Sequence, residues 1–279
     1  PAPPPFLVTV RSGLGTVLRG APLGEFEPAT VEVADLRVQE GRIVARGAEA
    51  TAQEGDELVE LSGRFLMPGL VSAHHRLYPP LLRGRAQAPG WPDAQRALFE
   101  LEDALDGDAI EAAATFGALE GLLAGTTSVF DVHSSPNAIE DSLSRVARGL
   151  GACGLRGILG YQVTDRHGAL SREEGIEETV AFCRKAKGRI KGSVAAHSPG
   201  FLSPDALDAL KEALGYSGAH LHLQLGEDPR EEAASLEQYG QSPLTRLLEA
   251  GLVTEKTLLA QAVHVPWPEL SMVLGTGAW

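Results

Sequence analysis

Two hydrophobic periodicities divide the chain. Between residues 6 and 70, runs such as FLVTV, GTVLRG, ATVEVADLRVQEGRIVARG and DELVELSGRFLMPGL set β-forming residues between Gly and acidic turns, a pattern of short strands and tight reversals. This predicts a small β-sandwich-like unit over residues 1–70. Beyond Val71, apolar runs of strand length alternate with Ala/Leu/Glu/Arg stretches at helical spacing, which predicts βα units around a parallel sheet over residues 71–279. The strand candidates are GLVSAHH, TTSVFDVH, GLRGILGYQVT, IKGSVAAH, AHLHLQLGED and TLLAQAVHV, and PDALDALKEALG and SPLTRLLEAGL are the clearest helices. Polar and His residues recur at the ends of successive strands, where barrel active sites are assembled, so an α/β fold of (β/α) barrel type is expected. A doubly wound sheet fits less well, because no Gly-rich phosphate loop follows any strand. A closed barrel takes eight units, and only six complete ones can be counted here. The segment VPWPELSMVLGTGAW reads as the sixth helix ending at Gly277, with Ala278 and Trp279 opening a seventh strand. An incomplete barrel with an open edge is therefore expected, and unpaired edges invite association, so a protein partner or self-association is expected to cover it.

Composition narrows the partners. The chain has 279 residues, 43% of them apolar, enough for a sizeable core, and no apolar run approaches the roughly 18 residues of a membrane span. A formal charge of -13 argues against the concentrated Lys/Arg footprint of nucleic-acid binding, and the acidity reads as a solvated surface. Cys153 and Cys183 are too few for a disulfide framework or a thiolate metal site. The chain opens on PAPPPF, which reads as a tail and has no charged-then-apolar leader, so the cytoplasm is the expected compartment. No G-x-S-x-G elbow, C-x-x-C or Walker-type loop occurs, which leaves those catalytic schemes without residues.

The stretch LMPGLVSAHHRLYPPLLRG resembles the first barrel strand of the amidohydrolase superfamily, in its deaminase and chlorohydrolase branch. AGTTSVFDVHSSP, YQVTDRHG, AAHSPGF and YGQSPLTRLLEAGLVTEKTLLAQAVHV are most similar to aminohydrolases of the selenium-metabolism type. The resemblance implies metal-assisted hydrolysis, in which a divalent ion activates water and a glutamate moves the proton. It also implies particular positions. His74 falls on the first ligand position of a His-x-His, with His75 between it and Arg76, which stands at the second. A guanidinium has no lone pair for a metal. On the fifth strand the family's His-x-x-Glu falls on Gln224 and Glu227; sliding the register onto His222 would put Leu225 at the glutamate. On the sixth strand the ligand position is Gln261, with His264 three residues later. The family's aspartate belongs to an eighth strand.

His74 thus remains as the single recognisable ligand, and catalytic zinc needs three protein ligands and a water. The expectation is a homologue without cofactor and without catalysis, a structural or interaction subunit. The alternative is a metal-dependent hydrolase or deaminase acting on a C–N bond of a cyclic or amidine-like molecule. It would use one divalent metal such as zinc, with an altered set such as His74, His222 and His264, or a barrel completed by another chain. Glu227 survives as the proton-moving candidate, and Arg76 is placed to pair with it. His133 and His197, at the ends of the second and fourth strands, either line a pocket or cap a turn. His220, His222 and Gln224 alternate with leucines on a period of two and share a polar face. Asp165, Arg166 and His167 read as a solvated loop.

Overall fold

The computed structural model describes residues 14–84 and 91–279, and both PAPPPF and the FLVTV run lie outside the described residues. The chain divides after Leu70 into two compact units. The first contains β1 (Thr16–Arg19), β2 (Pro22–Phe26), β3 (Ala29–Val33), β4 (Leu36–Gln39), β5 (Arg42–Arg46) and β6 (Glu57–Glu60). Strands β5-β4-β1-β6 form one sheet and β2-β3 a separate hairpin. Alternation along these strands turns Leu18, Leu23 and Leu36 toward Ala34 and Leu66 in a small core. Asp56 ties the unit together by accepting from Arg37 Nε at 2.7 Å and from the backbone N–H groups of Gly15 and Gln53.

The second unit carries β7 (Leu70–His75), α1 (Trp91–Ala104), α2 (Gly107–Leu123), β8 (Thr126–His133), α3 (Ser142–Ala152), β9 (Arg156–Val163) and α4 (Gly168–Lys185). It continues with β10 (Ile190–Gly192), β11 (Val194–Ala196), α5 (Pro204–Ser217), β12 (Leu221–Leu225), α6 (Arg230–Tyr239), α7 (Pro243–Glu249), β13 (Thr257–Gln261) and α8 (Trp267–Val273). Helix starts are written locally: Ser203 and Ser242 accept the N–H groups of Ala206 and Thr245, each followed by proline at the first helical position. Left-handed glycines, Gly218 and Gly240, close α5 and α6.

The sheet runs β7-β8-β9-β11-β12-β13, with β10 beside β9, and the β8–β9, β9–β11, β11–β12 and β12–β13 ladders are parallel. The expected single strand IKGSVAAH is two. The break falls at Ser193, next to Gly192, where a Cβ would stand 2.6 Å from Cys183 Sγ and glycine lets α4 approach closely. Leu221, Leu223 and Leu225 face outward into Leu207, Leu210, Leu244 and Leu247, which leaves His222 and Gln224 for the interior. Those two reach His74 and Arg76 of the first strand segment, so the sheet curls round far enough for its first and fifth layers to touch. It is an incomplete (β/α) barrel: β7 and β13 stand at opposite ends of the strand order. Trp279 lies along β13, its N–H donating to Thr257 O and its carbonyl accepting from Leu259 N, both at 2.9 Å. That is the opening of a seventh parallel strand, as the spacing predicts. Among the described residues no helix is long and apolar enough to cross a membrane.

Candidate active site

The C-terminal ends of the strands converge on one polar centre. His74, at the end of β7, points Nδ1 at Nε2 of His222 on β12, 2.9 Å away. Two residues on, Arg76 sends Nη2 to Gln162 Oε1 at 2.5 Å and Gln224 Oε1 at 2.9 Å, and Nη1 to the Tyr78 hydroxyl at 2.5 Å. Its ion pair is with Glu102 of α1, at 3.4 Å. The expected pairing with Glu227 is not formed. Glu102 is fully buried and also accepts from Tyr78 Oη at 2.7 Å, Ser134 Oγ at 3.0 Å and Arg166 Nη2 at 2.8 Å. Burying a carboxylate is costly unless its oxygens are bonded in this way. Arg166 therefore does not belong to a solvated loop: its guanidinium lies 4.0 Å over the Phe99 ring, while His167 reaches Asp103 at 3.1 Å.

Beside this network opens a cavity of about 350 Å³ lined by Gln95, Phe99, Gln162, Arg166, His197 and Phe201 among others. His197 stands between two aromatic rings, 5.9 Å from Phe99 and 6.0 Å from Phe201. Of the two strand-end histidines, His197 lines this cavity. His133 is turned into the packing between Tyr78 and Tyr161 and bonds to Ser135 Oγ at 3.0 Å. Glu227, half-buried after β12, faces the Gln261 side chain; burial raises its carboxyl pKa, against the pull of Gln261 and the charge of Arg76. Gln261 and the next residue, Ala262, carry φ of 77° and 49°, left-handed values uncommon outside glycine, which bend the chain off the sheet at the expected ligand position. His264 is exposed and faces Asp228, so the set His74, His222 and His264 does not assemble.

Burial, reinforced by the Arg76 charge, lowers the pKa of His74 to about 4 and those of His133, His197 and His222 to about 3. All four are neutral imidazoles at neutral pH. In the unfolded chain each titrates near about 6.5, so the unfolded state takes up protons first as pH falls. Stability contributed by His133 and His197 is then full above about pH 6.5 and drains by about 1.4 kcal/mol per pH unit for each residue until pH approaches their folded values. Urea unfolding at pH 7 and pH 5 is expected to show a clearly lower midpoint at pH 5. His133→Asn and His197→Asn should flatten that difference; a midpoint independent of pH would contradict the neutral, buried assignment.

For a divalent ion, the only imidazoles brought together among the candidate ligands are His74 and His222, which here bond to each other at 2.9 Å, and the five-ligand set of the resemblance is not present. Arg76, Gln224 and Gln261 supply no imidazole, and among the described residues no group of three or more His, Cys, Asp or Glu side chains is placed to hold a metal. His222 Nδ1 is buried without a hydrogen-bond partner. The sequence groups His74 and His222 only in a set with His264; the curl of the sheet brings the two together without it, and nothing in the sequence singles out Glu102 or Phe99.

The model of the Amidohydrolase family matches residues 65–276. A 5-methylthioadenosine/S-adenosylhomocysteine deaminase of Symbiobacterium thermophilum is 31% identical over 250 residues, covering 86% of this chain and 55% of that protein. A 5'-deoxyadenosine deaminase of Methanosarcina mazei is 28% identical over 247 residues, covering 86% of this chain and 54% of its own length. The chain thus spans little more than half the length of these curated relatives. Among solved structures, the zinc complex of the atrazine chlorohydrolase TrzN from Arthrobacter aurescens superposes with a TM-score of 0.81 at 18% identity, over 94% of this chain and 64% of that one. These findings correct two expectations. A non-catalytic subunit is overturned by relatives that are named deaminases, and the absence of a cofactor is overturned by a neighbour crystallised with zinc. Changed residues at Arg76, Gln224 and Gln261 do not by themselves record lost chemistry.

Proposed function

Because this chain belongs to the amidohydrolase family, we propose that it forms part of a metal-dependent hydrolase that deaminates an amidine-like ring, working through an altered site. Water is consumed, a C–N bond breaks, a C–O bond forms, and ammonia leaves. The 5'-deoxyadenosine type of substrate for which the relatives are named is the first class to test. The observation that carries this reading is the cavity at the strand ends, whose volume of about 350 Å³ falls within the range of small-molecule sites. Phe99 and Phe201 offer faces for a planar ring, and neutral His197 offers a donor or an acceptor to its edge. Glu227, its pKa raised by burial, is suited to taking a proton and returning it. Arg76 and Arg166, bound into Glu102, keep the floor positively charged and rigid. His74 and His222 would hold a divalent ion such as zinc, whose chemistry is to acidify a bound water.

Supplying zinc to protein purified without chelator, and following ammonia release from 5'-deoxyadenosine and 5-methylthioadenosine, tests the proposal. Ammonia is expected with metal and not after chelation. Stoichiometric metal with no ammonia from any adenosine derivative would remove the deaminase reading, and absence of metal would remove the altered site. Two further expectations belong here. The apolar side chains exposed near the β13 edge, Val263, Trp267, Leu274 and Trp279, are proposed to be covered by further polypeptide, through self-association or another chain. Light scattering of the chain alone should then report a mass above the monomer. Both cysteines are free, in keeping with a cytoplasmic site of action.

A further inference from the structure

Two rim loops meet over one buried carboxylate. The first follows β11 and runs through His197 to a short 3-10 turn, Pro199–Phe201; the second follows β12 and carries Glu227. Glu231, in the first turn of α6 and 1% exposed, accepts the backbone N–H of Gly200 on Oε1 at 3.3 Å and that of Gly226 on Oε2 at 2.8 Å. Each oxygen thus serves one loop. Both loop positions are glycine for a local reason: a Cβ on Gly200 would stand 2.5 Å from Glu231 Cγ, and Gly226 has φ of +60°. Behind the first loop, Arg246 of α7 donates to Pro199 O at 2.5 Å and Leu202 O at 2.7 Å, with its guanidinium 3.6 Å over the Tyr239 ring. Arg246 holds the first loop alone.

We infer that Glu231 is a positioning residue that ties the loop carrying His197 and Phe201 to the loop carrying Glu227, with Arg246 bracing the first loop. The effect of this tie on turnover rests on the deaminase reading; the clamp itself does not. Glu231→Gln keeps the size of the side chain but turns an amide NH₂ toward one of the two N–H donors, so one bond is lost. Amide exchange followed by mass spectrometry should then show peptides over 197–202 and 226–228 exchanging about tenfold faster, the scale of one lost hydrogen bond, with β12 unchanged. On a deaminated substrate both kcat and KM should worsen. Arg246→Lys should speed exchange only over 197–202 and raise KM while leaving kcat within about twofold, since it touches one loop. Unchanged exchange in both loops of Glu231→Gln, or opening of both loops by Arg246→Lys, would overturn the clamp. If Glu231→Gln unfolds as a whole, Gly200→Ala displaces the first loop from an intact Glu231, and slow exchange there would overturn the inference equally. Because exchange needs no substrate, a wild type without deaminase activity refutes the proposed reaction and leaves this test standing.

Discussion

Replacing Glu102 by alanine is expected to lower the stability of the barrel by about 3–5 kcal/mol, the cost of removing one partner from a buried charge network. The carboxylate is fully buried and receives Arg76, Arg166, Tyr78 and Ser134, so its loss strands two guanidinium groups that have few other anions. Arg166 retains Asp103 at 3.2 Å, but Arg76 keeps only neutral acceptors, Gln162, Gln224 and the Tyr78 hydroxyl. For a chain of this size the melting temperature should fall by about 10 °C or more. Glu102→Gln, which still accepts from Tyr78 and an arginine, should lose less. The sharpest check is the pair Arg76→Met with Glu102→Leu. If the network is worth its ion pairing, the double variant should recover much of what Glu102→Ala loses, because Arg76 is no longer a stranded charge and Arg166 keeps Asp103. A Glu102→Ala protein that melts with the wild type would show that water already reaches the two arginines.

The largest effect on turnover is expected at Glu227. If the site deaminates, Glu227→Gln should reduce kcat by about 10²–10⁴, the range for a proton-transferring group, with little change in KM. Gln261 faces this carboxylate, and an amide at 227 still meets it, so the loop has no reason to move. Burial raises the Glu227 pKa, so the acid limb of the wild-type profile should lie above the ordinary carboxylate value. Placing Gln261→Ala in the same assay removes the hydrogen bond that pulls this pKa down and should move that limb further up. An acid limb unmoved by either change, or a Glu227→Gln protein with full turnover, would assign the proton transfer to another group.

Much of the scaffold was legible before any coordinates. Alternating strand and helix periods predict the parallel sheet, and the end of α8 followed by Ala278 and Trp279 predicts a seventh strand, which Trp279 opens along Thr257 and Leu259. Alternation also places His222 and Gln224 together on the inner face, since the period of a strand is a local property. What stayed hidden depends on curvature. That His222 and Gln224 both reach His74 is decided by how tightly the sheet closes, and no spacing along β12 encodes that. Glu102 sits among Glu100 and Asp103 in FELED, a run that reads as a solvated helix end; its burial comes from Arg76 and Arg166, far away in sequence. Arg166 was misplaced for the same reason, because a charged triplet in a loop gives no sign that a phenylalanine of another helix lies beneath it. The reading of lost chemistry is overturned by the relatives named as deaminases: a changed residue at one ligand position does not by itself record a lost activity.

Arg76 and Gln224 occupy two of those positions, and they are bonded to each other, Nη2 to Oε1 at 2.9 Å. That bond makes the departure from the usual ligand pattern hard to reverse. A histidine at 76 alone would withdraw the cation from Glu102 and the donor from both glutamines; a histidine at 224 alone would face a guanidinium in place of a metal. At 261 a histidine would also inherit a left-handed backbone. The residues of this centre thus depend on one another, since Arg76, Gln162, Gln224 and Glu102 share one hydrogen-bond network and a change at any of them is felt by the rest.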